Sequence, residues 1–305
     1  MKNELEKHLE SRFRLNTIRG IINEIKLYKL WCEKENIQIE TANYNDILAY
    51  INYCREKKNS KRTIYSKLNC LKHYYEFVFS NSTNSDRANS FPFGEGWIGA
   101  SIKLRNIEKN LLHAVIKYEE LEKLYQDYPT AGILQKRNKS ILGLLIYQGL
   151  TTSEINKLEA KDVKLEEGKI YIPSTAKSNS RVLKLESHQI IQLQNYILSI
   201  RPVLLTMTEK KTDQLFISTG KTGIKNPANI FSGIKKLLAN LKKTEPKIKD
   251  AKQLRASVIN HWLKQYNIRQ VQYMIGHKYI SSTERYSTNK LETLQEQIEL
   301  LHPLK

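Results

Sequence analysis

Between residues 249 and 286 the chain reads KDAKQLRASVINHWLKQYNIRQVQYMIGHKYISSTERY, and four kinds of reactive side chain fall there in order. Lys252 and Arg255 stand three residues apart, so on a helix they share a face. Gly276 and His277 follow as a pair, and Tyr286 lies nine residues after His277. A lysine, an arginine, a histidine and a tyrosine brought together can bind a phosphodiester, polarise it and attack it. Singly they carry little. Tyr286 is one of 17 tyrosines, a lone His277 reads as a capping or solvated histidine, and Arg255 alone reads as a helix-pairing cation. The order and the spacing distinguish the set.

Other catalytic signatures are missing. The chain has no phosphate-binding Walker loop, no dinucleotide fingerprint, no HExxH and no cysteine metal cluster, so neither a cofactor nor a metal is expected. Cys32, Cys54 and Cys70 lack metal-ligand spacing and suggest a reducing cytoplasm without a disulfide framework. No run of about 18 apolar residues occurs, and the first residues, MKNELEKHLESRFRL, lack the apolar centre of a secretory signal. No membrane partner is expected.

The charge points to a polyanion. The 305 residues hold 50 Lys and Arg against 31 Asp and Glu, a net of +19. Nucleic acid leads, because neutralised phosphates release counterions and drive binding. The plainer alternative is a soluble basic surface. Residues 1–90 carry 16 basic against 11 acidic groups, a net of +5, and the remainder 34 against 20, a net of +14. The charge is interspersed with apolar positions, as on folded basic faces rather than a disordered arm.

The length suggests two domains, and the periodicity shows what must position the reactive groups. Ile18, Ile21, Ile22, Ile25, Tyr28 and Trp31 recur at helical steps over Leu15 to Glu35, with Asn16 and Thr17 as candidate caps. Helices over about Tyr44 to Glu56 and Ser60 to Phe79 complete a small all-helical bundle. Between them REKKNSKRT places Lys61 and Arg62 in a first helical turn. Cations there oppose the helix dipole, and contact with a phosphate would give them a purpose; a solvated loop is the plain reading.

Residues 80–100 are rich in Ser, Asn and Gly and read as a linker. Helical patterns resume over Tyr118 to Tyr128 and Leu134 to Gln148. Then GKIYIPS (168–174) and RVLKLE (181–186) alternate as two strands around the turn TAKSNS. Helices follow over about Ser187 to Ile200, Pro227 to Leu241, Ala251 to Gln265, Ile268 to Ile275 and Lys290 to Leu301. His261 falls on the structural side of its helix, and Lys242, Lys243, Lys247 and Lys249 form a basic loop.

Lys252, Arg255, Gly276-His277 and Tyr286 resemble, in order and spacing, the C-terminal motif of the tyrosine recombinases, the phage-type integrases. LLIYQGLTTSEINKLEAKDV is similar to the family's Gly-Leu-Arg-x-x-Glu segment, matched at Gly149, Leu150 and Glu154. The resemblance covers nearly the whole chain. It implies a mainly α fold: a SAM-like helical core-binding bundle over 1–85, a linker over 86–115, and a mainly helical catalytic domain with a small antiparallel sheet over 116–305. It implies a two-domain clamp on double-stranded DNA and a homo-tetramer on two DNA sites.

The implied reaction is site-specific recombination or integration through a 3′-phosphotyrosyl intermediate. Tyr286 would be the nucleophile and Arg255 would hold the phosphate oxygens. His277 and Lys252 would bond the phosphate or handle the phenol proton. Lys177, between the two strands, would protonate the leaving 5′-oxygen, Lys61 and Arg62 would contact DNA, and Glu154 would fix the turn.

The departure is Thr151, where the family places its first phosphate-binding arginine. A hydroxyl brings no charge, and one lost oxyanion donor costs about 3 kcal/mol. Lys136 and Arg137 open the preceding helix, about 16 Å away along its axis, and do not simply fill the gap, which leaves a residue from elsewhere in the chain or from a neighbouring subunit as the candidates. The alternative reading is a catalytically impaired DNA-binding relative.

Overall fold

The computed structural model describes residues 4–40, 42–80, 115–219 and 229–286. The chain divides into two compact units, Met1–Asn110 and Leu111–Lys305. In the first, α1 (Glu4–Glu10), α2 (Leu15–Lys34), α3 (Tyr44–Glu56) and α4 (Lys61–Ser80) are all helical. The apolar stripes meet as expected: Tyr28 and Trp31 of α2, Ile47, Tyr50 and Ile51 of α3, and Leu68, Leu71 and Tyr75 of α4 form one core. Tyr75 donates to the Ile39 carbonyl at 2.9 Å, so its hydroxyl is satisfied inside. Lys67 pairs with Glu24, which also accepts from Tyr50 at 3.1 Å.

The proposed caps of α2 are corrected. Arg14 stands at its N-cap with no side-chain cap bond, so Asn16 and Thr17 lie inside the first turn. Ser60, by contrast, accepts from the Thr63 amide and opens α4. The helix α1 was not legible, because only Leu5 and Leu9 of its seven residues are buried.

The second unit begins with α5 (Tyr118–Gln126), α6 (Ile133–Ile146) and the short α7 (Thr152–Lys157). A three-stranded antiparallel sheet follows: β1 (Val163–Lys164), β2 (Lys169–Ile172) and β3 (Arg181–Lys184). Ile170 faces Leu183, and Ile172 faces Arg181. The sequence shows two of these strands; β1 is two residues long and too short to alternate.

Then come α8 (Ser187–Asn195), a π-helical turn (Tyr196–Ile200), α9 (Arg201–Thr208), α10 (Phe231–Thr244), α11 (Ala251–Gln265) and α12 (Ile268–Ile275). The helix expected to stop at Ile200 continues as α9. Pro202 stands in the first turn of α9, immediately after the π-turn. The core is built from α6, all buried from Ser140 to Ile146, with Ile170, Ile172, Leu193, Tyr196, Leu237 and Leu254.

The expected linker over 86–115 falls, except for residue 115, outside the described residues. So do the start of the helix expected from Pro227 and the whole helix expected over Lys290 to Leu301. Among the described residues no helix is long and apolar enough to cross a membrane.

Candidate active site

Two glycine-dependent turns bring the reactive side chains together. At the end of α6 the chain turns through Gly149, whose φ of 58° favours a residue without a Cβ. A Cβ there would also lie 2.9 Å from Ile275 Cδ1. The turn delivers Thr151 as N-cap of α7. Its hydroxyl accepts from the Glu154 amide at 3.2 Å, and Glu154 Oε2 takes both the Thr151 amide (2.8 Å) and the Thr151 hydroxyl (2.9 Å). This is a complete capping box, and it commits the threonine hydroxyl within the protein.

The second turn ends α12. Gly276 has φ 74°, and the His277 amide closes on the Gln272 carbonyl at 3.0 Å. A left-handed C-cap of this kind stops a helix within one residue. That explains the Gly-His pair physically: the glycine halts α12, and the next side chain leaves at a fixed direction. Asn179 donates to the Gly276 carbonyl at 2.9 Å, and Ser178 pairs with His277 in an isolated antiparallel bridge. The turn between β2 and β3 is thereby fastened beside the histidine.

Glu154 sits at the centre with no exposed surface. Arg181 Nη1 lies 2.7 Å from its Oε1, and Arg255 Nη1 3.5 Å from its Oε2. Arg255, from α11, also donates to the Gly149 carbonyl (2.6 Å) and the Ile275 carbonyl (2.8 Å). Arg181, from β3, donates through Nε to the Met274 carbonyl at 2.7 Å. The two guanidiniums thus grip successive carbonyls at the C-terminus of α12, where the helix dipole favours cations.

Burial alone would raise the Glu154 carboxyl. The hydrogen bond and charge of Arg181, then Arg255 and the Thr151 amide, overcome it and hold the group at about 2. Burial lowers Arg255 to about 10, with Glu154 opposing, so it stays charged at neutral pH. His277 falls to about 4, through burial first and then Arg255 and Arg181; it is neutral at pH 7. Its Nδ1 lies 2.9 Å from Thr283 Oγ1. Tyr286, in a helical turn over 281–286, is half-buried, its ring centroid 6.1 Å from that of His277. Burial pushes its phenol up, while Arg255 and Arg285 pull it down.

The structure brings together Arg255, His277 and Tyr286, and sets the turn of Lys177 against His277. The Lys177 side chain is exposed. Lys252 is exposed on α11, one turn before Arg255. Lys61 and Arg62 are exposed in the first turn of α4, in the other unit. Arg137 is committed elsewhere, to the Ile217 carbonyl at 2.8 Å and to Asn138. His261 stacks on Tyr118, ring centroids 3.7 Å apart, and Lys247 pairs with Glu120.

The residue the sequence reading missed is Arg181. A signal was present: in RVLKLE the two-residue period puts Arg181 on the face of Leu183 and Leu185, all three buried. A cation on an apolar face needs a buried acid, and Glu154 is that acid.

Comparisons with known proteins follow the same outline. The profile of the Phage integrase family matches residues 114–292, and that of the phage integrase N-terminal SAM-like domain matches residues 4–81. Tyrosine recombinase XerC of Bacillus subtilis is 24% identical over 299 residues, 97% of this chain and 93% of the relative. XerC of Anoxybacillus flavithermus is 25% identical, covering 92% and 89%. The fold resembles that of the Tn1549 transposon integrase in complex with transposon right-end DNA (TM-score 0.64, 16% identity, 98% of both chains). It also resembles a lambda integrase dimer bound to a core site (TM-score 0.58, 14% identity, 92% of both).

Proposed function

Because the chain belongs to the phage integrase family, and so is a tyrosine recombinase acting in site-specific recombination, we propose that Tyr286 is its nucleophile and double-stranded DNA its substrate. The observation that carries this reading is the convergence of Arg255, His277 and Tyr286 at one place, beside the buried Glu154 carboxylate.

The Tyr286 oxygen attacks a DNA phosphorus, and the bond from phosphorus to the 5′-oxygen breaks. This leaves a 3′-phosphotyrosyl link and a free 5′-hydroxyl. A phenol raised by burial needs a proton acceptor and an activated phosphate. The neutral imidazole of His277 takes the proton, and Arg255 carries the non-bridging oxygens through the crowded phosphorus. Lys177 gives a proton to the departing 5′-oxygen, and Lys252 bonds the phosphate from the first turn of α11. The covalent link conserves the phosphodiester, so rejoining to a new 5′-hydroxyl is the same step reversed.

In this reading residues 1–85 are the core-binding domain, 86–115 the linker and 116–305 the catalytic domain. Lys61 and Arg62 contact the DNA backbone from the start of α4, and four copies act on two DNA sites.

A nicked suicide duplex carrying the DNA flanking the encoding gene tests the reading, because the cleaved fragment diffuses away and traps the adduct. Wild-type protein forms a denaturant-resistant protein–DNA adduct, and Tyr286→Phe forms none. Binding without an adduct would identify instead a DNA-binding relative impaired at Thr151.

A further inference from the structure

Glu154 offers one negative charge to two guanidiniums, and the geometry divides it unequally. Arg181 makes the short contact at 2.7 Å, and Arg255 stands off at 3.5 Å. The Arg181 side chain has no exposed surface, so it does not itself reach a DNA phosphate. Its Nη2 is buried without a hydrogen-bond partner among the described residues. A buried orphan donor is costly, so this guanidinium is not held there for its own hydrogen bonding alone.

The position is tightly enforced. A Cβ on Gly276 would collide with Arg181 Nη1 and lie 2.9 Å from its Cζ, so the glycine that aims His277 also makes room for the arginine. Thr151 cannot contribute to phosphate binding, because its hydroxyl is bonded to Glu154. Without Arg181, a fully buried carboxylate would draw Arg255 into a short pair and cancel its charge. With Arg181 present, the three groups sum to one positive charge.

We propose that Arg181 is a positioning residue for strand cleavage: as the counterion of Glu154 it leaves the charge of Arg255 free for the scissile phosphate, and so supplies what Thr151 does not. The inference rests on the cleavage reading above.

The test is the single-turnover rate of adduct formation on the suicide duplex, with a thermal melt of each variant as a folding control. Arg181→Gln leaves Glu154 to neutralise Arg255 and is slower by about a hundred- to a thousandfold. Adding Glu154→Gln to it frees Arg255 again, and the rate returns to within about tenfold of wild type. Arg181→Lys, which keeps the charge but not the fork, is faster than Arg181→Gln.

A merely structural brace predicts the opposite ordering, with the double variant no faster than Arg181→Gln. That ordering, or Arg181→Gln at the wild-type rate, overturns the proposal. If Arg181→Gln fails to fold, the charge-balanced double variant decides: folded but a hundredfold slow, it overturns the proposal as well. A wild-type protein that binds its site and forms no adduct overturns the cleavage reading, and with it this one; any failure confined to the variants leaves that reading intact.

Discussion

Replacing Glu154 by glutamine keeps the volume of the side chain and removes the negative charge that faces two buried guanidiniums. Its carboxyl is held at about 2 against an ordinary 4.5, a preference for the ionised form of about 3 kcal/mol. Breaking a buried pair by deleting one partner costs a similar amount, about 3–5 kcal/mol. Glu154→Gln therefore loses about 3 kcal/mol of stability at pH 7, read by urea denaturation followed by far-ultraviolet circular dichroism.

The dependence on pH separates this from a packing defect. The folded-state value lies below the unfolded one, so the contribution is complete above about pH 4.5 and is lost as pH falls toward 2. At pH 3 the gap between wild type and variant narrows to about 1 kcal/mol. A gap that stays near 3 kcal/mol from pH 7 to pH 3, or one under 1 kcal/mol at pH 7, refutes the electrostatic account of Glu154.

Three further outcomes are expected. Gly276→Ala strains a φ of 74°, at about 1–2 kcal/mol, and pushes on Arg181; its Tm falls and adduct formation slows, whereas Gly20→Ala, with open space around it, does neither. Thr151→Arg gives up a helix cap worth about 1 kcal/mol. With Arg255 already left charged it gains less than about tenfold in cleavage, and a hundredfold gain would refute that. Lys61→Gln with Arg62→Gln weakens binding to cognate and unrelated duplexes alike and lowers the salt slope of log K by about 2; an unchanged slope removes both residues from the DNA interface.

Most of the element order was legible because it depends on short-range patterns. The ends of α3, α11 and α12 match the expected bounds to the residue, and each helix opens on a side chain that caps it: Asn43, Asp250 and Asn267. The sequence missed or misjudged features that depend on context: the two-residue β1, the continuation of α8 through a π-turn into α9, and the cap of α2, which starts at Leu15 as expected but behind Arg14, a residue that caps nothing.

At the site the division is similar. The order and spacing of Arg255, Gly276-His277 and Tyr286 were enough to carry the resemblance to the tyrosine recombinases, because a helix, a glycine stop and the following turn set their separation locally. The threonine at position 151 could be read only as a missing cation. What surrounds that position depends on β3, α7 and α11 meeting, across sequence separations of 27 between Glu154 and Arg181 and 101 between Glu154 and Arg255. No local pattern encodes such distances. Burial in the folded chain, by removing water from one carboxylate and two guanidiniums, is what makes their pairing strong.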